Sequence, residues 1–194
     1  MKKFDRLPPE QRKQEIAEAA KLLFLQKGFR ATTMENIVSQ VTLSKGGVYR
    51  LYGSTEEILM DLILEGMRLR NQYYMTRVGQ LQGKKPETED IISMIWDSLL
   101  IHEDVSRLYV EFLWEKQHSE KLEALYEEIC RVSIQETSEM IRACGAGELL
   151  LSDPQKLQDL TDLMNGAILS IRVLNLDGRE SREKLTKIMM DILS

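Results

Sequence analysis

Between Thr32 and Thr55 the chain concentrates groups that donate hydrogen bonds to oxygen: the hydroxyls of Thr32, Thr33, Thr42, Ser44, Tyr49, Tyr52 and Thr55, and the cations Lys45 and Arg50. Gly46 and Gly47 lie in the middle of that stretch. The chemistry open to such a set is recognition. Hydroxyls and backbone N–H groups donate to phosphate oxygens, Lys meets phosphate as a point charge, and Arg forks onto a guanine edge. Each glycine costs about 1 kcal/mol in a helix relative to Ala. Close approach of backbone to DNA would explain that cost, and so would a tight turn packed on the first helix. Tyr49 is expected to donate to phosphate and Tyr52 to pack in the core. Thr32 and Thr33 are expected to cap a helix, with one of them also touching phosphate.

These groups act only if a scaffold presents them. Ile16, Ala19, Ala20, Leu23 and Phe24 recur at helical spacing and predict a first helix from about Pro9 to Lys27, stopped by Gly28. Thr32 and Glu35 have capping-box spacing, which makes Thr32 the N-cap of a second short helix ending near Gln40. Val41-Thr42-Leu43 reads as a tight turn. Ser44 can cap a third short helix, Lys45 to about Leu51. Two short helices joined by such a turn follow the helix-turn-helix plan, in which one helix braces and the next enters the major groove. Ser54-Thr55-Glu56-Glu57 reads as a second capping box, opening a long helix towards Gln82. Helices are expected over 106–116, 122–144, 154–176 and 181–193, with Asp153-Pro154 as a start and Asp177-Gly178 as a break. Ile91, Ile92, Ile95, Trp96 and Leu99 form another stripe. No segment alternates at period two, so the fold class is all-α. Residues 1–53 are expected to form a three-helix helix-turn-helix DNA-binding domain, and 54–194 a helical effector-binding and dimerisation domain.

The 194 residues are 43% hydrophobic, enough to bury a core without staples. Net charge is −5, yet residues 1–55 hold ten Lys or Arg against five Asp or Glu, so a basic head precedes an acidic body. That asymmetry suits binding nucleic acid through one end. Cys130 and Cys144 lack metal-ligand spacing and read as free thiols in a reducing compartment. The N-terminus has no apolar signal-like run and no stretch could span a bilayer, so a cytoplasmic protein without membrane contact is expected. No nucleophile–base pair, phosphate loop or metal cluster occurs. His102 and His118 lack ligand spacing. The expectation is therefore no enzyme activity, no cofactor and no metal.

Residues 12–63 resemble the DNA-binding region of TetR-family regulators. The matching features are Phe24, Gly28-Phe29, Thr32-Thr33, Ile37, Ser44-Lys45-Gly46, Tyr49, Tyr52 and the start of the fourth helix at Ser54-Thr55-Glu56. Three positions depart from the family pattern: Val38 where it has Ala, Thr42 where it has Gly in the turn, and Thr55 where it has Lys. Thr55 lacks the cation but keeps a hydroxyl and an N–H for phosphate, and Thr42 can hinder the turn or offer a base contact.

The resemblance implies double-stranded operator DNA as partner, a homodimer, and a small-molecule effector bound among the middle helices. It places the dimer face on the last two long helices, where Gly166, Ala167, Ser170 and Val173 are candidates. Within one subunit Gly166 could instead relieve crowding. Trp96, His102, Tyr109, Trp114 and Met140 are candidates for an apolar or amphipathic ligand, although ordinary helix core would use the same residue types. The expected activity is a repressor released from a palindromic operator. Two alternatives stay open: a DNA-binding protein controlled by a protein partner, and an apolar-ligand carrier.

Overall fold

A computed structural model describes residues 8–100, 102–145, 153–174 and 179–193. Every regular element among them is helical: α1 (Pro9–Lys27), α2 (Met34–Val38), α3 (Lys45–Leu51), α4 (Thr55–Gln80), α5 (Thr88–Leu100), α6 (Glu103–Glu115), a single 3₁₀ turn (Lys116–His118), α7 (Glu120–Ala143), α8 (Pro154–Arg172) and α9 (Arg179–Leu193). The chain divides into two compact units, Met1–Ile63 and Leu64–Ser194, with the division falling inside α4.

In the first unit α1 buries Ile16, Ala20 and Phe24, one helical stripe. Ile37 of α2, Val48 of α3, and Ile58, Leu59 and Ile63 of α4 complete the core, all at 2% exposure or less. Each such side chain contributes roughly 1.5–3 kcal/mol by leaving water. The Phe24 and Phe29 rings meet at 5.2 Å, which fixes the chain just after Gly28. Gly28 itself has φ +85°, a conformation that stops α1 where the sequence predicts.

The cap of α2 differs from expectation, and that of α4 lies at Ser54 as the sequence predicts. Thr33, not Thr32, is the N-cap of α2: its hydroxyl accepts from the Asn36 N–H at 3.3 Å, and the Asn36 side chain accepts from the Thr33 N–H at 3.0 Å. Asn36 does the reciprocal work expected of Glu35, because it sits three residues beyond the true cap. Thr32 is buried and donates to the Gly28 carbonyl at 2.9 Å. At α4, Ser54 accepts from the Glu57 N–H, and the Glu57 carboxylate reaches back to the Gly53 N–H at 2.7 Å. Helix α2 also stops at Val38, and α4 at Gln80, each two residues short of its predicted end.

In the second unit Tyr74 of α4, Ile92 and Ile95 of α5, Met140 and Ile141 of α7, Leu160 and Ala167 of α8 and Met189 of α9 share one core. A neighbouring aromatic group joins Tyr109 and Phe112 of α6 to Tyr126 of α7, with centroids at 5.8 and 6.5 Å. Polar ties lock the helices: Arg172 donates to the Ser106 hydroxyl at 2.8 Å, and Tyr74 and Ser98 share a buried bond of 2.9 Å. At Gly66 of α4 an added Cβ would lie 2.3 Å from the Val105 Cγ1 of α6, so these helices touch there backbone to side chain. Asp153 caps α8 at the Gln155 N–H, with Pro154 in the first turn, as predicted. That helix ends at Arg172, short of the predicted Leu176; the expected break at Asp177-Gly178 lies outside the described residues. Cys130 and Cys144 are both free.

Candidate nucleic-acid interface

Helix α3 is short because it is bracketed. Ser44 at its N-cap accepts from the Gly47 N–H at 3.2 Å, and Tyr52 at its C-terminus is extended. Val48 is its buried anchor, fully enclosed, which turns the remaining face outward. Lys45, Gly46, Tyr49 and Arg50 lie on that exposed face. No hydrogen bond or ion pair to Arg50 exists among the described residues, so its guanidinium keeps its full donor fork for a base edge.

The two glycines of α3 separate. A Cβ on Gly47 would meet the Ser44 hydroxyl at 3.3 Å and the Leu43 side chain at 3.4 Å, so Gly47 serves local packing. A Cβ on Gly46 would meet nothing within 4 Å, so its bare backbone answers to no neighbour among the described residues.

The turn before α3 is braced from α1. Thr42 gives its N–H and its hydroxyl to Glu15 Oε1, each at 2.7 Å, and its hydroxyl oxygen accepts from Arg12 at 3.0 Å. Arg12 also holds the other Glu15 oxygen at 3.0 Å. The Thr42 N–H above all, then its hydroxyl and Arg12, hold the Glu15 carboxyl below its usual range. Thr42 has no positive φ, so the turn does not need the glycine common in the family, and its hydroxyl is engaged inside the unit. Sequence reasoning missed Arg12 and Glu15; their one signal was a polar pair, three residues apart, beside the α1 apolar stripe.

A second carboxylate bears on the exposed face. Glu35 of α2 accepts from the Lys45 ammonium at 3.1 Å and from the Tyr49 hydroxyl at 3.3 Å through the same oxygen, and the Lys45 ammonium lies 5.6 Å from the Tyr49 ring centre. The Lys45 hydrogen bond is the main cause that lowers the Glu35 carboxyl, and Glu35 in turn raises Lys45. Both side chains are about 65% exposed, so a competing phosphate meets little obstruction. Tyr52 behaves differently. It is 4% exposed and its hydroxyl donates to Asp61 at 2.8 Å. Burial, then that carboxylate, raises its phenol well above the usual range. Thr33 is exposed at the N-cap of α2, and Thr55 is half-buried in the first turn of α4.

The candidates in the second unit do not form one lining. Trp96 and Met140 are enclosed in the shared core, and the Trp96 indole donates to Thr186 at 2.9 Å. Tyr109 is half-buried and donates to the Asn165 carbonyl oxygen at 3.1 Å. His102 occupies the N-cap of α6 without a side-chain bond there. Trp114 is 62% exposed, on the outer face of α6, so it lines no interior. Of the dimer candidates, Gly166, Ser170 and Val173 share a face of α8, whereas Ala167 is fully buried and turned into the core of its own unit. Among the described residues no group of three His, Cys, Asp or Glu could hold a metal, and no helix is long and apolar enough to cross a membrane.

Comparison with known proteins places this arrangement. The model of the family "Bacterial regulatory proteins, tetR family" matches residues 16–62. The "Uncharacterized HTH-type transcriptional regulator YfiR" of Bacillus subtilis is 45% identical over 58 residues, 30% of this chain and 28% of that protein. The chain thus spans less than a third of that relative. A transcriptional regulator from Syntrophomonas wolfei assigned to the TetR family has the same fold, with TM-score 0.74, 15% identity and coverage of 96% of each chain. The multidrug binding protein EbrR, solved with imidazole, gives TM-score 0.67 at 15% identity over 96% of this chain and 92% of that one. Helix α3 with its braced turn lies wholly within the matched segment, and on these findings residues 16–62 form a helix-turn-helix region similar to that of the TetR family of bacterial regulatory proteins.

Proposed function

We propose that this chain is a homodimeric repressor in the cytoplasm, which reads a palindromic operator with α3 and leaves it when a small molecule binds the second unit. One observation carries the reading: α3 is anchored inward by Val48 and presents Lys45, Tyr49 and an unengaged Arg50 outward, next to a turn held rigid by Glu15. A rigid short helix with donors on its free face is what a major groove admits. The DNA-binding domain expected over residues 1–53 takes the start of α4 to complete its core, with the division at Ile63, and the remainder acts as the effector and dimer domain.

Two observations support the dimer. A Cβ on Gly166 would meet nothing within 4 Å among the described residues, so this glycine relieves no crowding there. Leu169 on the same helix is 38% exposed and Val173, its C-cap, 58%, an apolar stripe with small residues beside it that suits close contact with a second copy. Two recognition helices related by that axis meet successive major grooves about 34–36 Å apart or a multiple of this. The imidazole held by EbrR is in keeping with small-molecule control in a protein of this fold.

The test is to select DNA fragments with the purified protein, sequence them and footprint the winner. Enriched sites with inverted symmetry and half-sites one or more helical turns apart are expected. Retention of all sequences alike would leave a charge-driven binder and remove the operator reading.

A further inference from the structure

Both ends of α3 meet a carboxylate from another helix. At the N-terminal end Glu15 of α1 takes the N–H and the hydroxyl of Thr42. At the C-terminal end Tyr52, the extended residue that closes α3, donates its hydroxyl to Asp61 of α4 at 2.8 Å. The next N–H, that of Gly53, goes to Glu57 of α4 at 2.7 Å. Glu57 and Asp61 are four residues apart, so both lie on one face of α4. Helix α1 supplies a cation to each end. Arg12 bonds Glu15 at 3.0 Å, and the Lys13 ammonium lies 3.5 Å from the Asp61 oxygen that Tyr52 uses. Neighbouring residues on a helix diverge by roughly 100°, which lets Arg12 and Lys13 serve opposite ends of α3. The Lys13 ammonium is also 5.1 Å from the centre of the Tyr52 ring.

Apolar packing alone does not call for this arrangement. Val48 is the buried anchor in the middle of α3, and a single anchor constrains the depth of a short helix more than its tilt. Phe would fill the space of the Tyr52 ring, which is 4% exposed, so what the hydroxyl adds is direction. Its bond to a carboxylate is charge-assisted, about twice as strong as one between neutral groups. Bonds of this kind at Thr42 and at Tyr52 hold the two ends on either side of Val48. Arg50 lies in the last turn of α3, next to the Tyr52 end.

We propose that Asp61 is a positioning residue for DNA recognition: through the Tyr52 hydroxyl it fixes the C-terminal end of α3, as Glu15 fixes the turn before it, and Lys13 keeps the Asp61 carboxylate in place. This rests on the reading of α3 as the helix that enters the operator, and it names what sets the tilt of that helix. A tilt error displaces Arg50 from a base edge, where hydrogen-bond geometry is strict. Attraction to phosphates is long-ranged and tolerates the same error. The loss should therefore fall on operator binding and spare unrelated DNA.

The experiment compares Tyr52→Phe, Asp61→Ala, Asp61→Asn, Lys13→Gln and the double variant Tyr52→Phe/Asp61→Ala on the selected operator and on an unrelated duplex, over a range of salt. Tyr52→Phe and Asp61→Ala should each weaken operator binding roughly tenfold, and the double variant should lose no more than either, because all three remove one bond. Tyr52→Phe should bind the unrelated duplex as the wild type does, with the same salt slope. Asp61→Asn, whose amide oxygen still accepts from Tyr52, should keep most of the operator affinity. Lys13→Gln should weaken operator binding less than Asp61→Ala and leave the salt slope as it is. Amide hydrogen exchange of the free protein gives a readout without DNA. The Tyr52 N–H, which bonds the Val48 carbonyl, should exchange faster in Tyr52→Phe and Asp61→Ala, while the amides of α1 keep their wild-type rates. Tyr52→Phe carries the test alone if Asp61→Ala does not fold. The proposal is overturned if Tyr52→Phe binds operator as tightly as the wild type, if it loses both duplexes alike, or if the losses in the double variant add. A salt slope flattened in Lys13→Gln overturns it as well, since Lys13 would then hold a phosphate. If the wild type selects no operator at all, the repressor reading falls, and the exchange rates alone decide whether Asp61 holds α3.

Discussion

Thr42 hands both its backbone N–H and its hydroxyl to a single oxygen of Glu15, at 2.7 Å each. The turn that aims α3 is thereby fastened to α1 by a carboxylate. Glu15→Gln keeps the shape and removes the charge, which roughly halves the strength of such bonds. Operator affinity is expected to fall several-fold in Glu15→Gln while the helical circular dichroism is unchanged. Thr42→Val, which keeps the N–H bond, should lose less. Equal affinity in wild type and Glu15→Gln would show that the turn needs no brace.

The same carboxylate gives a pH dependence of known sign. Glu15 titrates below its ordinary value of 4.5 in the folded chain, chiefly because of the Thr42 N–H. Its stabilisation is therefore fully present above 4.5 and disappears as pH falls through the lowered folded value. Acid titration of the melting temperature should fall less steeply below that point in Glu15→Gln than in the wild type. Parallel curves would remove Glu15 from the acid response.

Glu35 occupies Lys45 and Tyr49 as a phosphate would. Glu35→Gln should free both donors and remove a like charge facing DNA. Affinity at low salt should rise, and the slope of log affinity against log salt should steepen by about one counterion. Weaker binding in Glu35→Gln would mean that the carboxylate positions Lys45 instead.

Arg50 and Lys45 should separate by readout. Arg50→Ala is expected to cost about 1–3 kcal/mol and to relax preference at one base pair. Lys45→Ala should weaken all sequences alike and flatten the salt slope. Unaltered specificity in Arg50→Ala, measured on a library of single-base operator variants, would move base reading to another residue.

Val173 is 58% exposed in the single chain, so Val173→Glu should not harm its folding. Sedimentation equilibrium should nevertheless show the variant shifted towards monomer, with weakened operator binding. A dimer as tight as the wild type would take the interface away from this face of α8.

Helix periodicity gave away most of the architecture. The stripes of α1 and α5 and the Asp153-Pro154 start are where the sequence predicts them, because each is set by local spacing and capping chemistry. The α2 cap slipped by one residue because Thr32 and Thr33 offer the same hydroxyl, and only burial of Thr32 decides between them. Tyr49 and Tyr52 separate only in three dimensions, through Val48 burial and the Asp61 bond. Glu15, Arg12 and Thr42 meet across 27 and 30 residues, which no local pattern encodes. The aromatic candidates misled for a related reason: Trp96 and Trp114 are alike in type, but one is enclosed and the other faces solvent. The buried hydroxyls of Ser133 and Thr137 left one trace, helical spacing on an otherwise apolar α7 face.

The contact at Gly66 sets a limit on how this chain can change. A methyl there would intrude to 2.3 Å on Val105, so α4 and α6 owe their separation to a single absent carbon. Any lineage that gains a side chain at 66 must first shrink residue 105, since each step taken in the other order crosses an overpacked intermediate. The two positions should therefore drift as a pair, with Ala at 66 tolerated only beside Gly or Ala at 105.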